Sequence, residues 1–357
     1  MFRGYGSPEG SPSDAMRPHP SATRLAPRSA WLRCALLLPL LLGFAWPSLA
    51  QAVGEDPGSG PEAIAYGPMR QVATLADRRI TESSGLAASQ RHPGQFWTHN
   101  DSGGGARLFR IDAAGQTVAS LDLPLPRPTD WEDVACFTWK GRPLLLIGDV
   151  GDNRAERPFV TLWLLAEEDW EAGQHRADAA PLRLDIQYAD GPRDCESVAF
   201  DPVRGEVLLL TKVDPRRDFF AHAAAYVFDL AQALARLRDA RNGGGQGGGG
   251  EEGGGEPAPL VVPRVADLPL KIAVAADVSP DGRRCAVATY GHAYVFTRGP
   301  DEGWAAALSR PARTVRLGSR GQSETLAYDP DGRTLWLTAE GRGRPLWRVD
   351  PIVPPPR

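Results

Sequence analysis

Cysteine is scarce, with four in 357 residues at positions 34, 136, 195 and 285. No two of them form a C-x-x-C pair, which excludes the thiolate zinc site with that spacing. An excess of positive charge is lacking too. Lys and Arg number 40 against 44 Asp and Glu, the net charge is −4, and the two signs are interspersed. A nucleic-acid partner wants a basic face, so that class is set aside. There is no G-x-S-x-G, hence no hydrolase nucleophile elbow. "NDSGGGARLF" has the glycines of a phosphate loop without its Lys-Ser/Thr, and lies between two strand-like segments; it reads as a flexible loop.

Long apolar runs are absent after residue 46. The single earlier one, "CALLLPLLLGFAW", is too short to span a bilayer. It follows the basic stretch "MRPHPSATRLAPRSAWLR" and precedes "PSLAQA", which offers cleavage after Ala50 or Ala52. Residues 1–52 therefore read as signal peptide and leader, with translation starting at Met1 or Met16. The expected product is exported, periplasmic or extracellular, and has no membrane span after cleavage. Residues 53–68 read as a linker and 69–357 as one domain. Export permits disulfides. Yet Cys136 and Cys195 stand about five residues out of step in the repeat described next, too far apart for a bridge. Three free, mostly buried thiols are expected.

What is present is a repeat. "SSGLAAS", "WEDVACF", "CESVAFD", "AADVSPD" and "SETLAYD" align on Leu86, Val134, Val198, Val278 and Leu326, at intervals of 48, 64, 80 and 48. Such periods mark a propeller or solenoid. After each segment a turn such as "DPVRGE" leads to an apolar strand, then a third strand, and in four cases a fourth. The units read as four-stranded antiparallel sheets, the blades of an all-β propeller. Five blades are counted, and a sixth, too divergent to show the pattern, is the alternative count. The last unit lacks its outer strand, while "MRQVATLA" at 69–76 is spare, so this N-terminal strand is expected to close the ring. "RNGGGQGGGGEEGGGEPAP" at 241–259 interrupts the third unit and reads as a disordered surface insert. It is reached through a short helix at "LAQALARLRDA".

In an up-and-down blade the start of strand one and the end of strand two lie at one face of the ring. Glu82, Glu132, Asp133, Glu196, Asp277 and Glu324 stand at strand-one starts. Asn100, Asp101, Asp149, Asp152, Asn153, Lys212, Asp214, Tyr290, His292 and Glu340 stand at strand-two ends. Both sets converge on one mouth of the central channel. Crowded carboxylates are costly unless something offsets them, and a hard cation wants several carboxylate and carbonyl oxygens. The expected metal set is Glu132, Asp133, Asp149, Asp152, Asn153 and Glu196, with Ca²⁺ the first ion and Mg²⁺ the second. Asn100, Asp101, Trp131, Lys212, His292 and Glu324 are the expected rim residues, Trp131 as a stacking platform. Arg107, Arg154 and Lys212 are the alternative counter-charges. His99 and His292 are candidate general bases. Asx capping of turns competes for every Asp and Asn in these sets.

The combination "SSGLAAS…FWTHNDSG…LFRID", "DWEDVA", "GDVGDN", "ADVSPDGRRCAVATY" and "SETLAYDPDGRTLWLTAEG" resembles a family of secreted bacterial β-propellers, over about residues 70–350. It is also distantly similar to phytase-like propellers with calcium-dependent esterase activity and to gluconolactonase-type propellers with one catalytic divalent ion. That resemblance implies carboxylates and asparagines at the channel mouth. Three functions follow as expectations: a monomeric propeller binding a cation, a small molecule or a cell-envelope ligand at its acidic rim; a metal-dependent hydrolase of a phosphoester, ester or lactone; or a protein-interaction scaffold.

Overall fold

The structure is a computed structural model that describes residues 64–101, 104–213, 220–243, 257–318 and 323–352. The leader, most of the linker, the glycine tract and Asp214 lie outside the described residues.

Five sheets succeed one another along the chain and form the five blades of a propeller. Among the described residues there is no sixth. Blade 1 is built from Ser83–Ala88, Gln95–Asn100, Arg107–Asp112 and Thr117–Asp122. Blade 2 is built from Trp131–Trp139, Arg142–Asp149, Val160–Ala166 and Leu182–Tyr188. Blade 3 uses Cys195–Asp201, Glu206–Thr211, Ala224–Asp229 and Arg264–Asp267. Blade 4 uses Ala275–Val278, Arg284–Ala288, His292–Thr297 and Arg313–Arg316. Blade 5 has three short strands of its own, Ala327–Tyr328, Leu335–Leu337 and Pro345–Val349. Its outer strand is Arg70–Thr74, paired antiparallel to Pro345–Val349. The N-terminal strand thus closes the ring, and Leu75 and Ile80 just after it are buried between blades 5 and 1.

The blades stack through five apolar clusters, one at each blade–blade interface. A strand covered on both faces alternates its side chains between two neighbours, which is why these strands read as near-continuous apolar runs. In blade 3, Val198 and Phe200 point to blade 2 and Ala199 to blade 4. The small residue after each aligned apolar position has its reason here. Ala87, Ala135, Ala199 and Ala327 each face the adjoining blade near the axis, where the sheets crowd.

Two outer edges carry a fifth strand that the repeat did not announce. Gly173–Arg176, from the loop of blade 2, pairs parallel to Thr117–Asp122 of blade 1. Leu260–Val262 pairs parallel to Leu182–Tyr188 of blade 2. The stretch "LVVPRVADL" is therefore two strands in two blades. Pro263 divides them, because a residue without an N–H cannot continue the ladder. These parallel strands cover edges that would otherwise stand open. The helix Leu230–Gly243 follows blade 3's third strand, at the position expected from sequence. A second, short helix, Trp304–Leu308, buries Trp304 beside the blade 3–blade 4 interface. Cys136, Cys195 and Cys285 are free, the last two buried and Cys136 half-buried.

Candidate functional site

The mouth is built by one backbone bond repeated in three blades. A residue one or two places past strand two donates its N–H to the residue just before strand one: Asp101 to Glu82 O at 2.9 Å, Gly151 to Asp130 O at 3.2 Å, Lys212 to Asp194 O at 2.9 Å. Each pair sets an acid, four places before the aligned apolar residue, at the rim. Glu82, Asp130 and Asp194 occupy that place in blades 1, 2 and 3. Two places later the same strands carry Ser84, Glu132 and Glu196, and blade 5 carries Glu324, all buried side chains at the head of the channel. Blade 4 supplies Ala276 instead. The opposite end of the channel is lined by Pro202, Pro280 and Pro330 with Phe137, Phe200 and Asp277.

Three carboxylates come together there. Oxygens of Asp101, Asp130 and Glu132 all lie within 4.8 Å of one another. Gly151 is what allows it. A Cβ at Gly151 would stand 2.3 Å from Glu132 Oε1 and 2.4 Å from Asp130 Oδ2. Ser84 donates to Glu132 Oε2 at 3.4 Å, and Asp101 Oδ1 is buried with no hydrogen-bond partner. Burial, then the charges of Asp130, Glu82 and Glu324, push Asp101 up to about 8. Burial, then Glu196 and Asp101, hold Glu132 well above the carboxylate range.

Across the channel the only lysine of the mouth among the described residues, Lys212, forms an ion pair with Glu196 and lies 3.9 Å from Glu324. Its ammonium sits 5.9 Å from the centre of the Tyr290 ring, and the Tyr290 hydroxyl donates to Glu324 Oε1 at 3.1 Å. Lys212 thus spans from blade 3 to blade 5, across the place where blade 4 has Ala276. Burial disfavours the ammonium, but Glu196 more than offsets this and holds Lys212 above the ordinary lysine range. Burial pushes Glu196 up to about 8 against the pull of Lys212. Burial, with a hydrogen bond to Glu324, lifts Glu340 to about 9.

Several residues expected to hold a metal are turned elsewhere. The Asp133 carboxylate accepts the backbone N–H groups of Val134 at 2.9 Å, Val198 at 2.9 Å and Ala276 at 3.3 Å, tying the inner strands of blades 2, 3 and 4. Asp277 does the same between blades 4 and 5, through Val278 and Tyr328, both at 2.8 Å. Asp149 accepts from Thr129 N, Asp130 N and the Arg157 guanidinium. Asp152 caps the next turn through Glu156 N and Arg157 N, and Asn153 is exposed. The corner 148–154 is therefore a wall. Its own acids face backbone amides, while Gly151 and the Asp149–Asp130 bond set Asp130 and Glu132 in place. Arg157, not Arg154, supplies its cation.

The rim set divides in the same way. Asn100 locks the segment 79–82, accepting from Thr81 N and Glu82 N and donating to Arg79 O. Trp131 is not a platform at the rim. It is 1 % exposed and packs edge-on to His99 between blades 1 and 2. His99 is wholly buried, and that burial pushes it down to about 4, so it is a neutral core group. Gly85 lies against it; a Cβ there would meet His99 Nε2 at 2.5 Å. His292 begins the third strand of blade 4, beside Thr289 and Tyr294 and one strand farther from the axis. Arg107 pairs with Asp122 at 2.5 Å on outer strands of blade 1. Asp130 and Asp194 escaped the sequence reading. The alignment had them, two places upstream of the glutamates.

No family model and no curated protein matches the chain. Among solved structures, one similar to it is a gluconolactonase from Xanthomonas campestris, 11% identical, with a TM-score of 0.40 over 81% of this chain and 96% of that one. Another is the Dos1 propeller, 8% identical, with a TM-score of 0.35 over 74% of this chain and 67% of that one.

Proposed function

We propose that this propeller binds a divalent cation, calcium first and magnesium second, at the acidic mouth of its channel, with Asp101, Asp130 and Glu132 as the protein ligands. One observation carries the reading: three carboxylate oxygens from two blades gathered within 4.8 Å. Calcium–oxygen distances of about 2.3–2.6 Å put two ligand oxygens on opposite sides of one ion at about that spacing. Among the described residues the lysine of the mouth, Lys212, is held by Glu196 and Glu324, not by this cluster. Like charges crowded at low dielectric are costly, and a bound dication offsets that cost. Exposed acidic clusters exist without ions, but Glu132 is only 5 % exposed and Gly151 keeps its space clear.

Binding leads over hydrolysis in this reading. His99 is buried beneath the mouth and His292 lies outside it, so neither is placed to serve as a base. Export, read from residues 1–52, fits a calcium site of the extracellular kind, with Kd of about 10⁻⁴–10⁻³ M. The test is metal content of the purified protein and calorimetric titration with Ca²⁺ and Mg²⁺. Wild type should show one site per chain, and Glu132→Gln should abolish it. No metal as purified and no heat or melting shift at millimolar calcium or magnesium would sink the proposal. A phosphatase, esterase and lactonase panel with and without chelator tests the hydrolase reading.

A further inference from the structure

Among the described residues, a cation at Asp101, Asp130 and Glu132 leaves the mouth still negative. Glu196 and Glu324 share a single lysine, and Glu82 and Glu340 lie within electrostatic reach of the cluster. Lys212 is therefore no anchor for an anionic ligand, because two carboxylates and the Tyr290 ring already surround its ammonium. Beyond the three residues of the cation site, one buried carboxylate oxygen is left without a partner among the described residues. Glu196 is 3 % exposed; its Oε1 takes the lysine, and its Oε2 is buried with no hydrogen-bond partner. Glu196 stands at the head of blade 3's innermost strand, and the lysine it pairs with lies 3.9 Å from Glu324 of blade 5. The free oxygen thus belongs to the mouth. An ionised carboxylate oxygen can only accept. Its complement is a donor, and surroundings that stay negative favour a donor that carries positive charge.

Building on the cation reading above, we propose that the mouth also binds a primary ammonium group, with Glu196 Oε2 as its acceptor and Glu324 and the Tyr290 ring beside it. The ligand of this propeller is then an amine, not a phosphate, sulfate or carboxylate.

Three four-carbon probes differing only in their end groups test this on the calcium-loaded protein at pH 8.5, above the value of about 8 to which burial lifts Glu196: putrescine, butane-1,4-diol and succinate. Putrescine near a hundred times its Kd should raise Tm by about 4 °C or more. The diol and succinate should leave Tm unchanged. Calcium affinity should stay within about threefold in putrescine, which is about 0.7 kcal/mol. Glu196→Gln should weaken putrescine about tenfold, as loss of a charged hydrogen bond does, and should keep the calcium shift. If that variant does not fold, Tyr290→Leu removes the ring and should weaken putrescine about threefold. Binding of succinate, a diol shift equal to that of putrescine, or putrescine binding indifferent to both substitutions overturns the proposal. Displacement of calcium by putrescine overturns the separate subsites. Putrescine binding that depends on Glu196 in a protein that takes no calcium overturns the cation site alone and leaves the amine standing.

Discussion

Asp133 should be a staple of the ring and not a ligand, and Asp133→Ala tests this directly. Its carboxylate accepts three backbone N–H groups, from Val134, Val198 and Ala276, at 2.9, 2.9 and 3.3 Å. All three acceptor bonds lie in the buried channel, where Asp133 is 0 % exposed. Removing the carboxylate strands three donors from three blades. An unpaired buried donor costs about 1–3 kcal/mol. Relaxation and a trapped water recover part, so the loss should be about 3–6 kcal/mol. At about 2 °C per kcal/mol for a domain of this size, Tm should fall by about 6–12 °C. Asp133→Asn keeps one acceptor oxygen but turns an NH₂ toward an N–H, and should cost about half as much. The assay is urea unfolding, read by tryptophan fluorescence and circular dichroism together, with and without 5 mM calcium. The calcium increment in Tm should be equal in wild type and Asp133→Asn. A cost under about 1 kcal/mol for Asp133→Ala, or a calcium increment that vanishes in Asp133→Asn while stability holds, would refute the staple.

Other outcomes follow from the same geometry. Gly151→Ala puts a Cβ into the space of Glu132 Oε1 and Asp130 Oδ2, so it should abolish the calcium shift in titration calorimetry with only a small change in apo Tm. Asp149→Ala should instead lower apo Tm by several degrees, because Thr129, Asp130 and Arg157 lose their acceptor. Asp101, Glu196 and Glu340 are pushed up to about 8, 8 and 9, so the metal-free folded state holds protons that the unfolded chain releases above about pH 4. Stability of the metal-free protein should therefore fall as pH rises from about 5 to 9. The calcium increment should grow over that range, since binding expels those protons; a pH-independent increment in differential scanning calorimetry would contradict the assignment. Starting the chain at residue 77 removes the closing strand Arg70–Thr74 and the buried Leu75, and should lower Tm sharply by the same method.

The aligned segments by themselves determined the blades and the closing strand; they counted five blades with six as the alternative, and the structure settled on five among the described residues. Strands buried on both faces must be apolar throughout, and an unpaired outer edge needs a strand from somewhere; both demands are local and periodic. The acidic mouth was legible for a similar reason, because strand-one starts and strand-two ends of any such blade meet at one face. Which acids face one another was not legible. Asp133, Asp149 and Asp152 look like Glu132 in the sequence, yet their carboxylates meet backbone N–H groups. An amide's direction depends on the ring's curvature and the local turn, and neither leaves a mark on residue type. Pro263 was visible, but only the neighbouring blade's open edge decided that the halves of "LVVPRVADL" would part company. Lys212 was a rim candidate from the start. That it spans to blade 5 depends on Ala276 leaving room in blade 4 and on Glu324 arriving from the far end of the chain. Contacts of that range are set when the ring closes, since only closure brings residues more than a hundred positions apart into one mouth.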